Sequence, residues 1–385
     1  MKILHIMRSS EPTNKISYTA PFKIVSDLTP AFKKKGIEGT YFILGIDDWE
    51  GRDSFNQSLR VVSSITNIKC AEQHYEELKI NSYEEDGLSN IFPKLYDFVQ
   101  RSEPDIILAF TPLFAEIFAL RKLKQKIDIP IVNYCGSTPV KRKMSNGYEI
   151  SGFEFLQENK DIFEKHIAIS RCTKNYLAKL DIDAEVIYAG VNPEQYERAK
   201  NQTEPASGSK KIVMYSGRFH IDKGIDLIPD IVQQVLRKDN RVQFIIAGYG
   251  SLYPELNQQL KPFKGNVLLK TLDSNRLKKA YSKAHTYFKP SRANEAFCIS
   301  VVEAMASGDN IIYSGLDGIA LKEIVADAGM SIMELNPELY AEKILDSLNN
   351  RTVPNQVAIK RVKGMFDIRE KANEWLNILN ELQSK

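Results

Sequence analysis

At 385 residues the chain is too long for one comfortable hydrophobic core, and it reads as two domains. Apolar residues make up 43% and charged residues 26%, an ordinary globular balance that excludes a mostly disordered chain. The net charge is +3, with −2 on residues 1–195 and +5 on the rest, too small a basic surplus for nucleic-acid binding as the main task.

The elements alternate short apolar strands with amphipathic helices, twice over. Lys2–Met7 reads as a buried strand, Ala20–Lys35 as a helix stopped by Gly36, and Tyr41–Leu44 as the next strand. Asp105–Phe110 is a strand whose run of Ile, Ile and Leu suggests burial on both faces, as in a parallel sheet. Leu113–Lys126 follows as a helix, Pro130–Tyr134 and His166–Ser170 as strands, then a helix from Thr173 and a strand at Glu185–Tyr188. The polar stretch 201–210, with Pro, Gly and two Ser, carries no periodicity and reads as the linker.

Beyond it the alternation restarts. Strands are expected at Lys211–Tyr215, Val242–Ala247, Val267–Leu272, Thr286–Pro290 and Asn310–Ser314. Helices are expected at Gly224–Lys238, Tyr253–Leu260, Arg276–Lys283 and Ile299–Ala306, with a last charged helix at Ile368–Gln383. Strands spaced by helices of this length imply parallel sheets with right-handed crossovers, hence two Rossmann-like domains facing each other. Ligands of such sheets sit at the carboxyl ends of the strands, so the cleft between the domains is the expected site.

Cys70, Cys135, Cys172 and Cys298 stand far apart with no CxxC pair, which reads as a reducing, cytoplasmic protein. The longest apolar run, Ile106–Leu120, holds Pro112 and Glu116 and is too short to span a bilayer. The apolar stretch before Arg8 is too short for a secretory signal. No P-loop, HExxH or complete GxGxxG occurs, since Tyr253 holds the place of the third glycine after Gly248 and Gly250. Asp181-Ile182-Asp183 is formally a DxD metal–phosphate pair, but its place before a strand favours a turn.

The most informative segment is Pro290–Gly308, PSRANEAFCISVVEAMASG. Its helix is apolar nearly all round yet carries Glu303 in its middle, and a buried carboxylate without partners would cost several kcal/mol. A ribose diol would satisfy it; the competing reading is a pair with a core Lys or Arg. The amides of Phe297, Cys298 and Ile299 open the helix and suit phosphate oxygens. A second segment, Ser216–Gly224, follows the first strand of the second domain. Gly217 there lets backbone approach a ligand, and Arg218 with Lys223 offers a fork and a point charge suited to a diphosphate.

Glu295 and Glu303 form E-x7-E, followed by Ala304-Met305-Ala306-Ser307-Gly308; with Ser216–Gly224 and Ala247–Gly250 this resembles the retaining glycosyltransferases of family 4. The resemblance implies an α/β GT-B fold with an acceptor-binding domain over 1–200, completed by 366–385, and a donor-binding domain over 211–365. It implies catalytic roles for Arg218, Lys223 and Glu295, with Arg218 and Lys223 neutralising the donor diphosphate and Glu295 binding the transferred sugar. It also implies donor contacts at Gly217, Phe297, Cys298 and Ile299, ribose binding by Glu303, and the base near Asp273. Asn14 and Lys15 stand in the first-domain loop where the family has a glycine pair; the loop here, Glu11–Ser17, has none. Cys135-Gly136 occupies a place where the family tends to have a histidine, and Ala296 follows Glu295 where a glycine is usual. No cofactor and no divalent metal are expected. The implied partners are a UDP- or GDP-sugar donor and a glycan or lipid-linked acceptor, in cell-envelope polysaccharide or glycoconjugate synthesis, with no nucleic acid. Lys33–Lys35 and the basic residues at 121–126 and 141–143 suggest peripheral contact with the inner face of a membrane. The missing glycine loop and histidine keep open a partner subunit that binds without transfer; a sugar-nucleotide epimerase or phosphorylase on the same architecture is the other alternative.

Overall fold

The computed structural model describes residues 1–9, 20–46, 57–64, 75–80, 91–112, 114–136, 141–143, 149–196, 211–293 and 295–384. Two compact units emerge: Met1–Gly190 together with Ile368–Lys385, and Val191–Asp367. The stretch 201–210, Asn14 and Lys15 lie outside the described residues.

The first unit holds β1 (Lys2–Ser9), β2 (Glu38–Ile46), β3 (Gln57–Ser64), β4 (Tyr75–Ile80), β5 (Ile106–Phe110), β6 (Ile131–Cys135), β7 (Lys141–Lys143), β8 (Glu149–Ser151), β9 (Lys165–Ala168) and β10 (Glu185–Val186). Eight of these form one sheet in the order β10-β9-β6-β5-β1-β2-β3-β4, while β7 and β8 pair separately. Every residue of β5 and β6 is buried, as the unbroken apolar runs require of central parallel strands. The all-parallel expectation fails at one edge, where β3 runs antiparallel to β2 and β4 antiparallel to β3. Their sequences, QSLRVVSS and YEELKI, hold too few apolar residues to read as buried strands.

The helix Ile368–Gln383 belongs to this unit. Ile368, Ala372, Trp375, Leu379 and Leu382 recur at intervals of three and four, and all are buried. Trp375 meets Tyr134 of β6 edge-on at 5.0 Å, and Glu381 pairs with Lys165 of β9 at 2.8 Å. Asp181 sits in a turn with φ 52°, in keeping with the turn reading of the DxD.

The second unit holds β11 (Ile212–Arg218), β12 (Gln243–Tyr249), β13 (Val267–Lys270), β14 (Thr286–Lys289), β15 (Asn310–Ser314) and β16 (Gly329–Ile332), in the order β13-β12-β11-β14-β15-β16. All neighbours are parallel. Five of these strands lie close to their expected places; β16 and the helices Pro337–Asn350 and Gln356–Met365 were not anticipated. The expected Gly224–Lys238 helix begins later, at Ile228, behind two short 3-10 turns. Because β11 lies beside β14, the loop after Arg218 and the chain after Lys289 leave the sheet next to each other.

His5 of β1 is fully enclosed, stacked on Tyr41 at 5.3 Å, and neither ring nitrogen has a hydrogen-bond partner among the described residues. Burial lowers its pKa from 6.5 to about 3. The unfolded chain therefore takes up a proton from about pH 6.5 downward while the folded chain resists until about 3, so stability falls across that window. His5→Phe keeps the stacking, removes the unmet polar atoms, and should stabilise by about 1–3 kcal/mol at neutral pH. Urea denaturation from pH 7 to 3 should show a flatter acid limb in the variant; an identical pH dependence would refute the assignment.

Candidate functional site

The site is built where β11 and β14 end. β11 closes on Gly217 and Arg218, and the chain then makes a short 3-10 turn, Ile221–Lys223, that ends on Gly224 in the left-handed region at φ 67°. A Cβ on Gly224 would lie 1.9 Å from the carbonyl oxygen of Pro290, so only glycine lets this turn press against the end of β14. That contact brings Lys223 inward. Its side chain is almost fully buried and its Nζ lies 3.1 Å from Glu295 Oε1.

Glu295 is 6% exposed, and three groups converge on its Oε1. Besides Lys223 it accepts from Ser291 Oγ at 2.7 Å and pairs with Lys289 Nζ at 3.5 Å. Lys289, the last residue of β14, is 2% exposed; its ammonium also donates to the Ser216 carbonyl at 3.4 Å and sits 5.0 Å from the Tyr215 ring centroid. Burial alone would raise the Glu295 pKa, but the charges of Lys223 and Lys289 outweigh it and hold the carboxyl at about 2. Burial pushes Lys223 down, opposed by Glu295, and Arg218 and Lys289 push the same way as burial. Burial would lower Lys289 too, but Tyr215, Cys298, Glu295 and Tyr287 around it outweigh that and hold it high. Cys298, next to them, is raised to about 11, chiefly by burial, and stays a neutral thiol near pH 7. Two buried ammoniums thus share one carboxylate, with the half-buried Arg218 nearby.

Cys298 caps the helix Ile299–Ala306 in the left-handed region, φ 71° and ψ 71°, an uncommon conformation for a side chain with a Cβ. The amides of Ile299 and Ser300 open that helix beside the lysine–glutamate cluster. Glu303, within the same helix, is 3% exposed. Two tyrosines meet it: Tyr196 donates to Oε1 at 2.6 Å and Tyr281 to Oε2 at 3.0 Å. Tyr281 donates its proton to Glu303, so at its 2.6 Å contact with Ser216 Oγ the serine donates. Burial, then Glu303, raises Tyr281 well above its usual pKa, which keeps it a donor.

The structure therefore brings together Gly217, Lys223, Glu295 and Cys298, with Glu303 joined to them through Tyr281 and Ser216. Phe297 is buried, edge-on to Phe366 at 5.6 Å. Asp273 is exposed and caps the helix Ser274–Tyr281, its Oδ1 accepting from the Arg276 amide at 2.8 Å. Lys289, Tyr196 and Tyr281 were missed in the sequence. The one available signal for Lys289 was a cation closing TYFK, an otherwise buried strand.

Residues 197–363 match the family model described as glycosyl transferases group 1. Among curated proteins, an uncharacterized glycosyltransferase of Methanocaldococcus jannaschii, MJ1178, is 30% identical over 236 residues, covering 59% of this chain and 61% of that protein. A human phosphatidylinositol N-acetylglucosaminyltransferase component is 25% identical, covering 56% and 47%, and Mycobacterium tuberculosis phosphatidyl-myo-inositol mannosyltransferase is 28% identical, covering 56% and 57%. The chain thus spans about half to three fifths of the length of these relatives. Among solved structures, sucrose-phosphate synthase of Thermosynechococcus elongatus superposes with a TM-score of 0.71 at 16% identity, covering 99% of both chains. The pneumococcal O-GlcNAc transferase GtfA gives 0.69 at 12%, covering 100% of this chain and 99% of that one. The fold is the two-domain α/β fold of the GT-B glycosyltransferases.

Glu295 is ionised in the folded protein down to about pH 2 and only to 4.5 in a free chain, so its stabilisation is present above 4.5 and is lost as pH falls towards 2. Glu295→Gln leaves two buried ammoniums uncompensated and should cost about 3–5 kcal/mol at pH 7. Denaturation at graded pH should show the gap between variant and wild type closing below 4.5; a constant gap would mean the carboxylate is not ionised in the fold.

Proposed function

We propose that this chain is a retaining glycosyltransferase of family 4 that moves a sugar from a nucleoside-diphosphate sugar, UDP- or GDP-linked, to a hydroxyl of a glycan or lipid-linked acceptor. The observation that carries the reading is the surplus of positive charge around Glu295, set at strand ends and beside the start of a helix. The group 1 match over 197–363 supports it, and the names of the mannosyl- and N-acetylglucosaminyltransferase relatives support a lipid-linked acceptor.

In this reading the Val191–Asp367 unit holds the donor. Arg218 and Lys223 neutralise the diphosphate, with the amides of Phe297, Cys298 and Ile299 meeting its oxygens and Gly217 leaving room for them. Oε1 of Glu295 is taken by Ser291, Lys223 and Lys289, so Oε2 is the oxygen that accepts from hydroxyls of the transferred sugar. Glu303 receives the ribose, its carboxylate oriented by Tyr196 and Tyr281; the base lies by Asp273. Asn14 and Lys15 are the assigned donor contacts of the first unit, which binds the acceptor. The acceptor oxygen attacks the anomeric carbon on the face the diphosphate leaves, the bond from that carbon to the phosphate oxygen breaks, and the acceptor proton passes to the leaving phosphate. Configuration is retained, and cationic side chains with a helix start supply the electrostatic stabilisation, without a divalent metal. The chain acts in the cytoplasm in polysaccharide or glycoconjugate synthesis, with the exposed Lys33–Lys35 touching the inner face of a membrane. No helix among the described residues is long and apolar enough to cross one.

A thermal-shift screen of UDP-, GDP- and ADP-sugars tests the reading. At 100 times its dissociation constant the true donor should add about 2.7 kcal/mol of stability. Arg218→Ala should abolish that shift while the melting temperature without ligand stays within a few degrees of wild type. If no sugar nucleotide shifts the wild-type melt at millimolar concentration, the proposal falls.

A further inference from the structure

Lys289 has no place in the roles above, yet it is among the most enclosed charges in the molecule. It ends a strand whose four residues are all buried, and its ammonium contacts Glu295 Oε1, the Ser216 carbonyl and the face of Tyr215. It also fills space that no side chain at 217 could share, since a Cβ on Gly217 would lie 2.8 Å from Lys289 Nζ. A lone buried ion pair would be electrically neutral: Lys223 and Glu295 together sum to zero, and an arriving anion would meet little net charge. Lys289 changes that sum. Burial pushes Lys223 down while Lys289 is held high; with both lysines protonated, Glu295 ionised and Cys298 a neutral thiol, the cluster carries one net positive charge inside low-dielectric surroundings, where an unbalanced charge is weakly screened.

We infer that Lys289 is a positioning residue for the diphosphate: its ammonium adds a second positive charge at the Glu295 oxygen that Lys223 already meets, so that the cluster as a whole presents an excess positive charge to the phosphate. The inference rests on the donor reading given above and deepens it, assigning the affinity for the anionic part of the donor to a residue that lies in the wall behind Lys223. Lys289 is too enclosed to be the phosphate's principal contact, and its influence travels through Glu295. A structural role alone, bracing β14 against Ser216, would make its charge irrelevant as long as the fold is kept.

The test uses titration calorimetry with two probes, UDP and inorganic pyrophosphate, on the full chain. Lys289→Met keeps the length and apolar stem of the side chain and removes the charge; it should weaken both probes by about tenfold or more. The double variant K289M/E295Q removes both charges and returns the net charge to that of Lys223 alone; it should recover at least threefold of the loss for pyrophosphate. Circular dichroism melts establish that each variant is folded, and Lys289→Gln, whose amide keeps a donor beside the Ser216 carbonyl, carries the same test should the methionine variant fail to fold. Binding by a folded neutral variant as tight as wild type overturns the inference, and so does a double variant no better than the single. If the wild type binds neither probe, the donor reading itself fails.

Discussion

Two buried lysines meeting a single carboxylate oxygen set the terms for the second unit. Burying any one of these charges alone would cost several kcal/mol, and a pair with Glu295 offsets the cost for only one lysine. The second survives because its surroundings are arranged for it, with a backbone carbonyl, an aromatic face and the same carboxylate oxygen. In the proposed function an incoming phosphate meets this charge, so that anion recognition and local folding draw on the same interactions.

The geometry depends on glycines placed where backbones touch. Gly224 admits Pro290, Gly217 admits the Lys289 ammonium, and Gly248 approaches Gly217 so closely that a Cβ would lie 2.0 Å from its carbonyl oxygen. These contacts tie the ends of β11, β12 and β14 into one body before any side chain is considered. Lys223, from the turn after β11, and Lys289, from the end of β14, then arrive at one oxygen of Glu295. Electrostatic preorganisation of this kind belongs to strand order and close backbone packing as much as to the charged residues themselves.

What could be read from the sequence follows the same division. Five-residue apolar runs such as IILAF identify central parallel strands because burial on both faces leaves no room for polar alternation. The antiparallel β3 and β4 carry no such constraint and passed unnoticed. Burial of Glu303 was legible from the apolar helix around it, and so was its need for donors. That the donors include Tyr196 and Tyr281, 107 and 22 residues away, depends on tertiary folding that no local pattern encodes. At Asp273 the local pattern was legible as well: an acidic residue three positions before Arg276 at a helix start is a capping pattern, and the structure shows that cap. Lys289 was hidden because a terminal strand lysine ordinarily reaches solvent, whereas here glycine at 217 and Tyr215 draw it inward.

The two glutamates, eight positions apart, end in contrasting surroundings. Glu295 is matched by full positive charges, whereas Glu303 is met by phenol hydroxyls. A carboxylate held by ammoniums has a fixed charge and a depressed pKa, so it serves as a constant acceptor and as a counter-charge. One held by tyrosine dipoles favours ligands bringing further hydroxyl donors and disfavours a phosphate close by. Ser216 and Tyr281 connect the two through a continuous path, from the carbonyl that meets Lys289 to the hydroxyl that meets Tyr281. One helix start and one strand end thereby present an anion-seeking face and a hydroxyl-seeking face side by side. In the proposed function the first takes the phosphates of a nucleoside diphosphate and the second its ribose.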